Sequence, residues 1–490
     1  MVKLELKDPL HIQINTENIS YLTGLREFFS AYVEGYNFMP QFQFGGWNGK
    51  VCLFNSSNRT LPYGLITDLI RYTKKDFPLE QIDVDPNISS LFKCVENPKI
   101  TQKLKFKLRP YQTDCVLTAL KYGRGIIKVA TASGKSFIIA NIINELKVLG
   151  KIKKSLIIVP TTNLVQQFRD DLIDYGFDVS RIGRLYSEFK ELNNEILIST
   201  WQSLMTRHEI LKNYDCVIGD ECHTHKAKEV HKILKDCSSA KIRIGFTGTL
   251  PVSKLNMWQI QGYMGPVLKE YTASDLAKLG FVSECVIDIL NVKYTQKYKG
   301  EYHDIKDSVF QSKFRLNIVK EILSKVDSNI LVLVSKVEKE GQFLKDYLSS
   351  VNFTDKEVVF VSGQTKVSDR DYWRSKLETR KDIVLIATYP IFSMGVNIPS
   401  LKYILLASPV KSNIRVLQSV GRSLRIHVDK VNGSKVFDIV DMVKYLNSHG
   451  DKRIKYYSIE GFDIVEHNIN EKDYNINTIH NIFPSGDNAL

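Results

Sequence analysis

Cysteine is scarce and unpatterned in this sequence. Seven cysteines are spread over 490 residues, at positions 52, 94, 115, 216, 222, 237 and 285, and no two form a Cys-x-x-Cys pair. This excludes a disulfide-stapled scaffold and a zinc ribbon, and predicts reduced thiols. Cys216, Cys222, His223, His225 and Cys237 are near one another in sequence, but their spacings fit no zinc module. Long apolar runs are missing as well. The longest, near residues 330–334 and 383–387, fall far short of the roughly 20 residues that a bilayer span requires. Met1-Val2-Lys3-Leu4-Glu5 carries no apolar signal-peptide stretch. Together these absences predict a cytoplasmic protein with no membrane partner. Short-period repeats and low-complexity linkers are also absent.

What is present is a globular composition with a positive bias. Hydrophobic residues make up 43% of the chain, enough for several cores, and the formal net charge is +13. A basic surface attracts phosphate backbones, so a polyanionic partner is expected; charge alone does not choose between DNA and RNA.

The pattern along the chain predicts an α/β fold: two tandem RecA-like parallel-sheet domains plus a small N-terminal α+β domain. Residues 1–98 read as that N-terminal domain. It opens with strand-like alternation (Leu4, Leu6, Ile12, Ile14), continues with a helical stretch near residues 19–32, and then carries an aromatic, glycine-rich segment ending in Gly45-Gly46-Trp47-Asn48-Gly49-Lys50. A strand–loop–helix alternation then fills residues 99–280, the first lobe. Residues 281–316 read as an irregular connector. A second alternation fills residues 317–470, and 471–490 read as a C-terminal tail.

Three motifs carry chemistry. Val129-Ala130-Thr131-Ala132-Ser133-Gly134-Lys135-Ser136 follows a short apolar strand and precedes an apolar helix. That is the context of a phosphate-binding loop: backbone N–H groups cradle phosphates, Lys135 reaches the β- and γ-phosphates, and Ser136 ligates Mg²⁺. Val129 stands where the first glycine of such loops is usual. Asp220-Glu221-Cys222-His223 ends another apolar strand. There Asp220 is suited to hold Mg²⁺ and Glu221 to orient and deprotonate the attacking water. In the second lobe, Gln418-Ser419-Val420-Gly421-Arg422-Ser423-Leu424-Arg425 sets two arginines about one helical turn apart, suited to reach a γ-phosphate.

The ordered set resembles the DExH-type helicases of superfamily two over about residues 105–470. Leu108-Arg109-Pro110-Tyr111-Gln112 is similar to the adenine-reading motif, with Gln112 on the base. Residues 130–136 and 220–223 resemble motifs I and II, and Thr247-Gly248-Thr249 resembles motif III, which couples the ATP site to the strand track. Gly395-Val396-Asn397-Ile398-Pro399 resembles motif V, with Asn397 in place of the usual Asp, and residues 418–425 resemble motif VI. The resemblance implies ATP and Mg²⁺ as cofactors. It also implies a catalytic set of Asp220, Glu221, His223, Gln418, Arg422 and Arg425, with Gly395 and Asn397 near the nucleotide. Because motifs of this kind touch phosphates rather than base edges, it implies a strand track lined by Pro160, Thr161, Thr200, Gln202, Ser335, Lys336, Ser362, Gly363 and Thr388.

A narrower resemblance is to the phage UvsW-type helicases. It rests on Gly35-Tyr36-Asn37-Phe38, Gly46-Trp47-Asn48-Gly49-Lys50 and Leu61-Pro62-Tyr63-Gly64-Leu65, together with Val410-Lys411-Ser412 before motif VI. It implies a monomeric motor acting on forked or four-way DNA in replication, recombination and repair, with Trp47 and Lys50 as candidate contacts to exposed bases. Phe42 and Phe44 are expected to be core residues. A motor subunit of a restriction or nuclease complex, an RNA helicase and a nucleotide-gated DNA scaffold share much of this motif set; no acid-acid-Lys nuclease signature occurs in the rest of the sequence.

Overall fold

Short β-branched runs alternating with helices generate two parallel sheets, one in each half of the chain. The computed structural model describes the chain except residues 102–103, 225–227, 352–354, 390–397, 399, 410–426, 428–429, 431–432, 476, 481 and 484–490. Its contacts divide it into two units, Met1–Val129 with Gly134–Tyr271, and Ala130–Ser133 with Thr272–Leu490. No helix among the described residues is long and apolar enough to cross a membrane.

The first unit holds an eight-stranded sheet. Its order is Phe189–Lys190, Ile182–Tyr186, Ile196–Thr200, Ser155–Val159, Cys216–Gly219, Ile242–Thr247, Arg124–Val129 and Val267–Tyr271. All pairings are parallel except that of the first two strands. The central strands are buried along their whole length, as expected of a sheet covered by helices on both faces.

The N-terminal residues of this unit form a four-stranded sheet ordered Thr60–Pro62, His11–Asn15, Val2–Asp8 and Ile82–Val84. In this sheet Leu4, Ile12 and Ile14 are buried, Leu6 is half-buried against the core and Lys3 is exposed. The helix expected near residues 19–32 is Ile19–Phe28. Ser30–Tyr32 is instead a strand paired with Lys50–Cys52, because Phe29 turns inward at the helix end and is fully buried.

One apolar core spans this small sheet and the large one. Phe28 and Phe29 pack on Trp258 of the helix Lys254–Met264, with ring centroids 5.9 and 5.3 Å apart. The Tyr63 hydroxyl donates to the Tyr263 carbonyl at 2.8 Å. The buried Arg124 guanidinium lies 4.5 Å from the Tyr63 ring centroid, and each of its three nitrogens donates to a carbonyl, those of Lys241, Pro9 and Ala240, which offsets the burial of its charge. Gly64 permits the close approach: a Cβ there would stand 1.8 Å from the Gln261 carbonyl oxygen.

The second unit holds a seven-stranded, all-parallel sheet. Its order is Glu357–Val361, Ile383–Thr388, Ile330–Val334, Tyr403–Leu406, Ser434–Asp441, Cys285–Lys293 and Asp463–Asn470. Residues 281–316, expected to be an irregular connector, therefore contribute a nine-residue strand, Cys285–Lys293, to the interior of this sheet. Asp288 and Asn291 gave that strand a polar look. Asp288 is nonetheless buried, and Lys435 and His467 pair with its carboxylate. Within the segment expected to be a C-terminal tail, Ile479 and Ile482 are buried in the same core. Two buried ion pairs fix the helices to the strands: Arg315 on Asp441, and Arg453 on both oxygens of Asp438 at 2.8 Å, with Tyr457 as a further donor to Asp438.

Candidate nucleotide and nucleic-acid site

In open parallel sheets, ligands gather at the carboxyl ends of the strands. Four neighbouring strands of the first sheet end in the expected chemistry. After Arg124–Val129 comes the loop 130–133, in which Ala132 has a φ of 68°, and then Gly134 with a φ of 75°. The helix Lys135–Val148 starts there with no side-chain cap, which leaves its first N–H groups available to an anion. Gly134 is favoured by its left-handed backbone conformation. A Cβ would stand 2.8 Å from Gln112 Nε2, so the Gln112 amide lies directly against the phosphate loop. Gln112 Oε1 accepts the Arg109 N–H at 2.9 Å, which fixes the start of the helix Pro110–Tyr122.

Two strands away, beyond Ile242–Thr247, Cys216–Gly219 delivers Asp220 and Glu221. The Asp220 N–H donates to Ile158 O at 2.9 Å, which extends the ladder one residue past the strand. Glu221 has a φ of 47°, a left-handed backbone that a non-glycine residue adopts at a cost and that is common at functional sites. Its carboxylate lies 3.7 Å from Lys135 Nζ and 3.2 Å from His223 Nδ1. Burial and the adjacent Glu221 charge push the Asp220 carboxyl upward. Burial would raise Glu221 too, but Lys135 and His223 outweigh it and hold Glu221 ionised. His223 Nδ1 also lies 2.8 Å from Thr247 Oγ1, and that oxygen accepts the Thr249 N–H at 3.1 Å. Asp220, Glu221, His223 and Thr247 are thus in one contiguous polar group with Lys135.

Asp220 Oδ1 is buried and has no hydrogen-bond partner among the described residues. An orphaned buried carboxylate oxygen beside a phosphate loop fits a divalent cation. The other expected metal ligand, Ser136, has its hydroxyl 2.8 Å from the Tyr175 hydroxyl. Tyr175 was not among the residues singled out from the sequence. It comes from the far end of the helix Thr162–Asp174 and sits in an aromatic cluster with Phe106 and Phe137.

The expected strand-track residues also fall at carboxyl strand ends. Val159 and Thr200 are in register on adjacent strands, so Pro160 and Thr200 share one edge. Thr161 Oγ1 is buried without a partner among the described residues, whereas the Thr200 hydroxyl caps the next helix through Ser203. Gln202 is exposed. In the second unit, Val334 pairs with Thr388 and Val361 with Ala387, which brings Ser335, Ser362, Gly363 and Thr388 to one edge. Ser362 and Thr388 are buried. Gly395, Asn397, Gln418, Arg422 and Arg425 lie outside the described residues.

In the N-terminal domain the Trp47 indole N–H donates to the Lys50 carbonyl at 2.8 Å, and Lys50 Nζ sits 4.9 Å over the Tyr32 ring. Phe42 is half-buried against Tyr36. Phe44, expected in the core, is 87% exposed, and Phe38 is 76% exposed. The short segment between the paired strands Ser30–Tyr32 and Lys50–Cys52 has no interior large enough to bury all of its rings.

Tandem parallel α/β sheets, the first carrying a phosphate loop beside a strand-end Asp-Glu pair, define a RecA-like nucleotide hydrolase of the helicase type. Three protein families match the chain: "DNA helicase UvsW, N-terminal" over residues 1–82, "Type III restriction enzyme, res subunit" over 105–252, and "Helicase conserved C-terminal domain" over 315–427. The ATP-dependent DNA helicase uvsW of Enterobacteria phage T4 is 30% identical over 507 residues, covering 96% of this chain and 99% of that protein. The solved structure of T4 UvsW superposes with a TM-score of 0.50 at 27% identity, covering 96% of this chain and 99% of that one. The DNA 3'-5' translocase XPB2 of Sulfurisphaera tokodaii is 25% identical over 408 residues, 75% of this chain and 89% of that protein. The chain belongs to the UvsW family of superfamily-two helicases.

Proposed function

We propose that this protein is an ATP-dependent DNA helicase and translocase that remodels branched DNA, by branch migration, fork regression or unwinding. The observation that carries the nucleotide chemistry is the group formed by Lys135, Asp220, Glu221, His223 and Thr247 at the mouth of an uncapped helix. The substrate class is supported by the match to T4 uvsW along nearly the whole chain, N-terminal domain included.

The ATP phosphates lie over the N–H groups that open the helix Lys135–Val148, with Gln112 and Arg109 on the adenine side. Lys135 leaves Glu221 for the β- and γ-phosphates, which frees the Glu221 carboxylate to orient a water molecule and take its proton. Ser136 and the Asp220 oxygen that has no partner among the described residues would hold Mg²⁺, which would supply charge neutralisation on the phosphates. His223 and Thr247 carry the state of the site to the strand-contact residues. Gln418, Arg422 and Arg425 are assigned to the γ-phosphate, and Gly395 and Asn397 to the nucleotide, as the motif resemblance implies.

DNA runs along Pro160, Thr161, Thr200, Gln202, Ser335, Lys336, Ser362, Gly363 and Thr388 through backbone phosphates. Phe38, Phe44, Trp47 and Lys50 of the N-terminal domain (residues 1–98) meet the branch point. We assign a monomer working in the cytoplasm of the host cell. The test is ATP-dependent migration of a synthetic four-way junction, compared with unwinding of a linear duplex and of an RNA duplex. Preferential processing of the junction is expected. Faster unwinding of RNA, or cleavage of DNA by the purified chain, overturns the assignment.

A further inference from the structure

Ser335 and Lys336 follow the strand Ile330–Val334, where a helicase track would meet a phosphate. Their backbone N–H groups are already taken. Glu340 Oε2 accepts Ser335 N–H at 2.7 Å and Lys336 N–H at 3.1 Å, and the Ser408 hydroxyl donates to the same oxygen. Glu340 is 1% exposed, and its other oxygen pairs with the buried Lys306 ammonium at 2.7 Å. Burial would raise this carboxyl, but Lys306, Ser408 and the Ser335 amide hold it low. Pulling those amides away would strip two of the hydrogen bonds that a buried carboxylate oxygen accepts, which is costly. Phosphate contact at this strand end therefore falls to ammonium groups.

Both nearby ammonium groups are held by a single carboxylate. Lys336 Nζ lies 2.5 Å from Asp307 Oδ1, and Lys339 Nζ lies 2.8 Å from Asp307 Oδ2. Lys339 is largely exposed and Lys336 partly so. Lys306 and Asp307 are neighbours on the helix Tyr302–Phe310. Lys306 locks that helix onto buried Glu340, and Asp307 then presents one oxygen to each lysine, as a phosphate would.

Resting on the strand-track reading above, we propose that Asp307 is a built-in phosphate mimic. It occupies Lys336 and Lys339 in the free protein and is displaced by a backbone phosphate of bound DNA. The exchange swaps one anion for another, so neither lysine is left unpaired at any stage. Release of a phosphate during stepping is eased by the return of Asp307, and the freed carboxylate takes up a cation whenever DNA is bound.

The test uses the full-length protein without nucleotide and a fluorescein-labelled forked DNA. Anisotropy is read across roughly 50–200 mM salt. Wild type, Asp307→Asn, Lys336→Ala/Lys339→Ala and the triple variant are compared, with thermal melts to check folding. Exposed ion pairs contribute up to about 1 kcal/mol, so Asp307→Asn is expected to bind about fivefold tighter at low salt. Its plot of log affinity against log salt should steepen by about one, because Asp307 no longer takes up a cation. The double lysine variant should bind more weakly with a shallower slope, and the triple variant should match it. If the lysine variant weakens binding but Asp307→Asn neither tightens nor steepens it, the mimic is wrong and the track reading stands. If the lysine variant binds as wild type does, the track reading fails at this strand end and the mimic fails with it.

Discussion

Gly64→Ala tests whether the N-terminal domain and the first lobe form one rigid body. The added Cβ would stand 1.8 Å from Gln261 O, 2.8 Å from Gln261 C and 3.0 Å from Gly265 Cα. All three are backbone atoms, so no rotamer change relieves the clash. Reaching the 3.0 Å that real Cβ atoms tolerate requires the two backbones to part by about 1.2 Å. Overpacking of this kind costs about 1–3 kcal/mol, with backbone-on-backbone contact at the upper end. A domain stability of roughly 5–15 kcal/mol absorbs that, so the chain stays folded and the junction loosens. Hydrogen exchange should speed up in residues 63–65 and in the helix Lys254–Met264, the Tyr63–Tyr263 hydrogen bond should be lost, and the melting temperature should fall by a few degrees. Four-way junction migration should fall more than DNA-stimulated ATP turnover, since the phosphate site is built from other strand ends. Unchanged exchange in both segments, with an unchanged melting temperature, would refute the close-packed junction.

Two further outcomes concern the second unit. Arg453→Met removes the bidentate partner of fully buried Asp438 and leaves Tyr457 as its remaining side-chain donor in this group. A loss of about 3–5 kcal/mol is expected in chemical denaturation, and a loss under 1 kcal/mol contradicts the assignment. Burial pushes the Lys356 ammonium down to about 8 from an ordinary 10.5, while its Nζ donates to the carbonyls of Leu323, Val326 and Ser328. Between about pH 8 and 10.5 the unfolded chain then binds more protons than the native one at this position, so this residue makes stability rise with pH in that window. Lys356→Met should remove that rise, and identical pH profiles for the two proteins would disprove it.

The sequence made the nucleotide machinery legible because each part is local. Residues 130–136 need a strand before them, a helix after them and a glycine able to take a left-handed backbone, and all three can be read within a dozen residues. Asp220 and Glu221 end an uninterrupted apolar strand in the same way. The interior strands at 155–159, 196–200, 330–334 and 383–388 announce themselves as short β-branched runs, as fully buried parallel strands do. The strand Cys285–Lys293 hid because Asp288 broke its apolar run, and the partners that satisfy Asp288 arrive from residues 435 and 467. Phe44 looked like core because an aromatic residue is usually buried, yet nothing in a local window reveals how little interior its hairpin encloses. Tyr175 beside Ser136, and Glu340 beneath Ser335 and Lys336, gave no sequence signal. Each depends on a contact between segments that only the fold brings together.

The central claim is that Lys135 and Glu221 work on one triphosphate at the head of the helix Lys135–Val148. The most direct measurement is DNA-stimulated ATP turnover of Lys135→Ala against wild type, with circular dichroism and melting checked on both. Turnover is predicted to fall by about 100-fold or more while the fold is retained. A well-folded Lys135→Ala protein that hydrolyses ATP at the wild-type rate would contradict it.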